Sequence, residues 1–170
     1  GRGKLVGRLM RDFTATVAPM PYQQAREAEA IWEGFEGSVT PFEVIIPLVC
    51  IPSGAAKNTA HGPTVASGSG YTLNTIGWPA NVTDLFKAGD LIRLASPTKM
   101  YKIKKNAHSD ASGNCTLTLT RALVAPAIGG EALIFNPASL VVTQPNSAQE
   151  FTIPGDKQST FELDFEEWMQ

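Results

Sequence analysis

The chain has 170 residues, 43% of them apolar, with 14 basic and 16 acidic side chains, a formal charge of -2 and a sequence pI near 5.7. That apolar fraction supplies a core and excludes wholesale disorder, while the near-neutral balance excludes a general electrostatic pull toward nucleic acid or an anionic membrane. Charged residues make up 18% of the chain, below the roughly 25% usual in soluble domains, which points to surface covered in an assembly.

The opening Gly1-Arg2-Gly3-Lys4 has no apolar stretch of the signal-peptide kind, so the chain is expected to begin inside a longer gene product. From Asp12 to Val17, alternation puts Phe13, Ala15 and Val17 on one face of a strand, and Pro19 and Pro21 are expected to stop it. Between Tyr22 and Glu36 the period becomes helical. Ala25, Ala28, Trp32 and Phe35 share the inner face, Gln23, Arg26, Glu29 and Glu33 the outer one, and Gly37 suits the C-terminal cap. Phe42 to Val49 returns to extended character. The apolar run from Val44 to Ile51 is too short to cross a bilayer, is interrupted by Pro47 and is followed by Pro52.

Residues 52 to 70 are rich in Gly, Ser, Ala, Thr and Asn and read as a long exposed loop leading to a strand near Tyr71 to Leu73. Strands are expected at Leu91 to Leu94, Met100 to Ile103 and Cys115 to Arg121, joined by turns as in a meander or small barrel. Four further extended segments fall at Glu131 to Phe135, Ser139 to Thr143, Glu150 to Ile153 and Thr160 to Phe165. The expected fold is mainly β: antiparallel, sandwich-like or barrel-like strands with one α-helix packed against the sheet. Its expected parts are an N-terminal β-α-β part (1–50), a long loop region (51–76) and a β-rich part (77–170), continuous with the first.

No pattern of catalytic chemistry stands out. His61 and His108 lack the spacing of a zinc pair, and the neighbours His108, Ser109 and Asp110 point in different directions on a strand or turn, so they are not a triad. Gly68-Ser69-Gly70 lacks the Lys-Ser or Lys-Thr pair of a phosphate-binding loop. Cys50 and Cys115 have no Cys-x-x-Cys context and read as two buried free thiols. Glu162, Asp164, Glu166 and Glu167 read as the charged outer face of an edge strand. No catalytic residue, cofactor or metal is therefore expected.

One larger pattern remains. Arg2, Lys4, Arg8 and Arg11 make the first eleven residues basic, whereas the chain from Glu150 onward is acidic. Opposite charge at the two ends can fix register in a head-to-tail ring, so these four cations and the acids Glu162, Asp164, Glu166 and Glu167 are candidate subunit-interface residues. Tyr71, Trp78 and Tyr101 are candidate aromatic contacts. As a flat exposed platform they would suit the alternative function, a carbohydrate-binding β module for host-surface attachment.

The order of signals also resembles a family. A strand ending in Pro19-Met20-Pro21, a helix containing Ala28-Glu-Ala-Ile-Trp32 and then Thr40-Pro-Phe-Glu-Val-Ile-Ile-Pro-Leu48 resemble the first part of the distal tail type of minor tail protein in tailed bacteriophages. Gly77-Trp78-Pro79, Lys87-Ala-Gly-Asp-Leu-Ile92, Met100-Tyr-Lys-Ile103, the turn from Ser109 to Gly113 and Thr116-Leu-Thr-Leu-Thr120 before Pro126 resemble the second part. The resemblance spans most of the chain, and family members usually begin with one more strand region. It implies a structural virion protein, made in the host bacterial cytoplasm and not an enzyme. Such a protein forms a ring, commonly of six identical subunits, at the tail tip or baseplate. The implied partners are the tail tube protein, the tail hub and other tail tip proteins, with no direct sequence-specific nucleic-acid contact, no membrane span and no cofactor.

Overall fold

A computed structural model of the chain describes residues 12–21, 23–24, 26–27, 30, 34, 40–46, 48–59, 62–96, 98–144 and 158–168, with the backbone alone at 12–20 and 158–164. The described structure is mainly β, in small antiparallel sheets. Its strands are β1 (Asp12–Pro21), β2 (Phe42–Val44), β3 (Thr64–Ser69), β4 (Thr72–Ile76), β5 (Leu91–Leu94), β6 (Met100–Lys102), β7 (Cys115–Thr118), β8 (Leu133–Ile134), β9 (Leu140–Thr143) and β10 (Gln158–Glu167). They form a four-stranded sheet in the order β1-β10-β9-β2 and two three-stranded sheets, β3-β4-β7 and β6-β5-β8. Two compact units result, one within residues 1–42 and 141–168 and the other within 43–140 together with 169–170.

In the first unit β1 pairs antiparallel with β10 from Asp12↔Glu166 to Pro21↔Gln158, and β10 pairs with β9 at Glu166↔Thr143 and Glu167↔Val142. The expected stop at Pro19 is overturned: β1 runs on to Pro21 through a register shift between Val17 and Met20. A strand at the end of the sheet order tolerates proline because one row of its N–H groups faces no partner strand. In the expected helix, the described residues Gln23, Gln24, Arg26, Glu27 and Ala30 are helical and exposed, and Gly34 N donates to Ala30 O at 3.3 Å. Its inward positions Ala25, Ala28, Trp32 and Phe35 lie outside the described residues, as does the expected strand at 150–153.

The second unit corrects the reading of 51–76 as a long loop. Ala55–Asn58 is a 3-10 helix with Ala56 fully buried, and β3 and β4 form an antiparallel hairpin turned at Gly70, φ +54. Small residues disguised the strand: β3 reads Thr-Val-Ala-Ser-Gly-Ser, and its main contribution to the core is Val65. β4 pairs with β7 from Thr72↔Thr118 to Thr75↔Cys115, which brings Leu73 and Leu117 to the same buried face. β5 pairs with β6 on one side and β8 on the other. Isolated bridges join Ile103 to Leu119, just past β6 and β7, and Thr64 of β3 to Ala132, just before β8. Around Val65, Leu73, Leu85, Phe86, Ile92, Leu94, Tyr101, Ile103, Leu117 and Leu119 the core is continuous, all within 1% exposure.

Candidate interaction surfaces

The terminal charges are the first candidates. Arg2, Lys4, Arg8 and Arg11 lie outside the described residues. Glu162 and Asp164 sit on the β10 backbone opposite Thr16 and Thr14, Glu166 is half-buried, and Glu167 is 1% exposed. This overturns the charged-edge reading in two ways. β10 lies between β1 and β9 in the sheet order, paired with β1 from Glu166 to Gln158 and with β9 at Glu166 and Glu167, so it is not a terminal strand among those described. Glu167 is two residues from the buried Phe165, and a period of two puts both on one face, where Phe165 meets the Phe42 ring at 6.1 Å between centroids.

The aromatic platform is not formed either. Trp78 is 5% exposed, edge-on to Phe86 and Phe135 with centroids 5.3 and 5.1 Å away, and its Nε1–H donates to Thr75 Oγ1 at 2.8 Å. Tyr101 is 1% exposed, and its hydroxyl accepts the Val124 N–H at 3.1 Å. Only Tyr71 of the three is open to solvent, at 59%. Trp78 and Tyr101 bury their rings and spend their polar atoms inside the fold, as amphipathic aromatics commonly do.

The turn from Ser109 to Gly113 is a hydrogen-bonded support for Trp78. Asp110 Oδ1 accepts the N–H groups of Ser112 and Asn114, both at 2.8 Å, and Oδ2 accepts Asn114 Nδ2–H at 2.9 Å. Those bonds favour the charged form and hold the Asp110 carboxyl below its ordinary range. Gly113, φ +75, accepts the Trp78 N–H at 3.1 Å, and a Cβ there would clash with Trp78 O. The three neighbours of the suspected triad serve three separate partners: His108 Nδ1 accepts the Asp84 N–H, Ser109 Oγ donates to Pro79 O and accepts the Val82 N–H, and Asp110 closes its own turn.

Two charged groups that sequence reasoning passed over are set deep in the second unit. Asp90 is 6% exposed; its Oδ1 accepts Ser53 N–H and Oγ–H at 2.9 and 2.7 Å, and its Oδ2 accepts Lys87 N–H at 2.8 Å and Gly54 N–H at 3.4 Å. The Gly89-Asp90 pair marks a turn in the sequence, but partners some 36 residues away leave no local signal. Arg93, in a strand buried at every position, donates through Nη2 to Glu43 Oε1 at 2.9 Å and Ser139 Oγ at 3.1 Å, while its Nε has no partner among the described residues.

Both cysteines are free and buried, as expected. Burial is the main cause pushing the Cys115 thiol up to about 11, so roughly 0.1% of it is thiolate at pH 8. We expect disulfide-exchange reagents at pH 8 to modify Cys115 in the folded chain far more slowly than in denaturant; equal rates would contradict this burial. The sign for stability follows: the unfolded thiol, near 9.0, ionises first, so this contribution is present below pH 9 and is lost as pH rises through 11.

Among the described residues, no group of three or more His, Cys, Asp or Glu is placed to hold a metal ion, and no helix is long and apolar enough to cross a membrane. No family model matches the chain, and no curated protein matches it.

Proposed function

We propose that the chain is a structural subunit of a bacteriophage tail tip, six copies of which form a ring at the distal end of the tail tube and join it to the hub and receptor-binding components. The observation that carries this reading is the edge of the four-stranded sheet. β1 is ten residues long and, among the described strands, terminal in the sheet order; Asp12, Pro19 and Pro21 lie toward its ends, and the stretch from Phe13 to Ala18 between them holds neither charge nor proline. Soluble proteins blunt such edges with charges, prolines or short strands, because an open edge is a template for another chain. The opposite end of the sheet is β2, a different strand, so joining β1 of one copy to β2 of the next is head-to-tail, and a head-to-tail contact closes into a ring when its rotation permits. The low charge density and the sequence resemblance agree with it.

In this reading the expected helix packs against the sheet. The six strands of the second unit close into a small barrel in the order β3-β4-β7-β6-β5-β8, with the bridges Ile103↔Leu119 and Thr64↔Ala132 as the two seams. The test is sedimentation velocity and negative-stain imaging of the purified chain. Wild type is expected as a ring with a central hole, and Thr14→Lys with Thr16→Lys, which charges β1, as a folded monomer. A wild type that stays monomeric at high concentration would refute the reading.

A further inference from the structure

The net charge of -2 hides a division between the two units. Residues 43–140 with 169–170 carry eight basic and five acidic side chains, a surplus of three positive charges, whereas the rest of the chain carries six basic and eleven acidic ones. Within the second unit every acid is already engaged. Glu43 pairs with Arg93, Asp84 Oδ1 accepts Asn106 Nδ2–H at 3.0 Å, Asp90 and Asp110 accept backbone N–H groups, and Glu131 Oε1 accepts Ser96 N–H at 2.7 Å. Lys102 and Lys104, by contrast, are exposed and make no ion pair among the described residues.

Strand pairing sets both lysines on a broad polar face. A period of two sends Leu73, Ile103, Leu117 and Leu119 into the core and leaves Thr72, Asn74, Lys102, Lys104, Thr116 and Thr118 on the opposite side, exposed or half-buried. Lys104 N–H donates to Thr118 O at 2.7 Å and Thr120 N–H to Lys102 O at 2.9 Å, on either side of the Ile103↔Leu119 bridge. Lys104 therefore stands beside Thr118, which is paired with Thr72. The neighbouring row is tied by side chains across three strands: Thr116 Oγ1 donates to Asn74 Oδ1 at 3.0 Å, and Asn74 Nδ2–H donates to Ser67 Oγ at 3.1 Å. These face positions include no acid and no aromatic ring.

We propose that this face binds an acidic polysaccharide, with carboxylates of the polymer on Lys102 and Lys104 and its hydroxyls on the threonine and asparagine rows. This goes beyond the ring reading and does not depend on it. A lysine ammonium is a compact point charge that meets a carboxylate without a fixed fork, and hydroxyl and amide side chains donate and accept as sugar hydroxyls do. Single-stranded nucleic acid would need an aromatic surface for its bases, which these positions do not offer. The local positive surplus, set against the negative remainder of the chain, selects an anionic polymer over a neutral one.

The test is retention of the full chain on immobilised polygalacturonate at low salt, beside neutral dextran and single-stranded DNA. Wild type should be held by the polyuronate, released by added salt and pass through dextran. Lys102→Gln with Lys104→Gln should weaken binding by on the order of tenfold and keep the wild-type melting curve. Lys57→Gln with Lys87→Gln removes the same charge from exposed positions elsewhere in the unit and should change binding by less than about twofold. Thr72→Val keeps the charge and removes one hydroxyl, for a loss of about fivefold. Equal losses in the two lysine pairs would reduce the effect to net charge and overturn the site. Tighter retention on single-stranded DNA than on polygalacturonate, or no retention of wild type on polygalacturonate, would overturn the polysaccharide.

Discussion

Replacing Asp90 by Ala is expected to cost about 3 kcal/mol of stability and to lower the melting temperature by on the order of 10 °C. The carboxylate is 6% exposed and accepts four hydrogen bonds, from Ser53 N–H and Oγ–H, Gly54 N–H and Lys87 N–H. Bonds to a charged acceptor contribute roughly 1.5–3 kcal/mol each and are not additive, and truncation leaves three backbone donors to find water or stay unpaired. The same clamp holds the approach to the 3-10 helix, whose Ala55 and Ala56 N–H groups donate to Asp84 O and Leu85 O, both at 2.9 Å. A graded series separates charge from shape. Asp90→Asn keeps one acceptor but can turn its NH2 toward the donors of Gly54 and Lys87, so it should be intermediate. Ser53→Ala removes one hydroxyl bond and should cost about 1 kcal/mol. Chemical denaturation ranks the three, and an Asp90→Ala midpoint equal to that of wild type would show that water replaces the carboxylate without loss.

The clamp also shows why parts of this fold were legible in the sequence and others were not. Local alternation between turn residues marked the segments that became β5, β6, β7, β9 and β10, because each signal lies within its own strand. β3 escaped because its residues are small for a reason set elsewhere: a Cβ on Gly68 would come within 2.7 Å of Leu73 Cδ1 and 2.9 Å of Leu123 Cδ1. That glycine is a packing requirement of a strand, although a Gly-Ser-Gly run reads as loop. The extended reading of Phe42 to Val49 holds only as far as Val44: the backbone turns at Leu48, φ +67, and leaves Ile45, Leu48, Val49 and Ile51 exposed. Glu167 was grouped with its acidic neighbours although the period of two already separates it from Glu166. Of the candidate surfaces, the β1 edge, terminal among the described strands, depends on strand order, and no local pattern encodes the order of strands in a sheet.

Trp78→Ala is expected to destabilise the second unit by about 3–5 kcal/mol, as large-to-small changes at buried aromatics do. Its ring is edge-on to Phe86 and Phe135, which are edge-on to each other at 5.8 Å, so removal opens a cavity that two neighbours line. The indole N–H also ends a buried chain: it donates to Thr75 Oγ1, which donates to Cys115 O at 2.9 Å. Trp78→Phe should retain most of the packing and lose that one bond, for about 1–2 kcal/mol. Tyr71→Ala, at a position 59% exposed, should stay within about 0.5 kcal/mol of wild type. These differences decide how carbohydrate binding can be tested. Lost glycan retention in Trp78→Ala would report a damaged core, whereas the same loss in Tyr71→Ala, with an unchanged melting curve, would identify a sugar contact. Unchanged retention in Tyr71→Ala would leave the aromatic-platform reading without an exposed member.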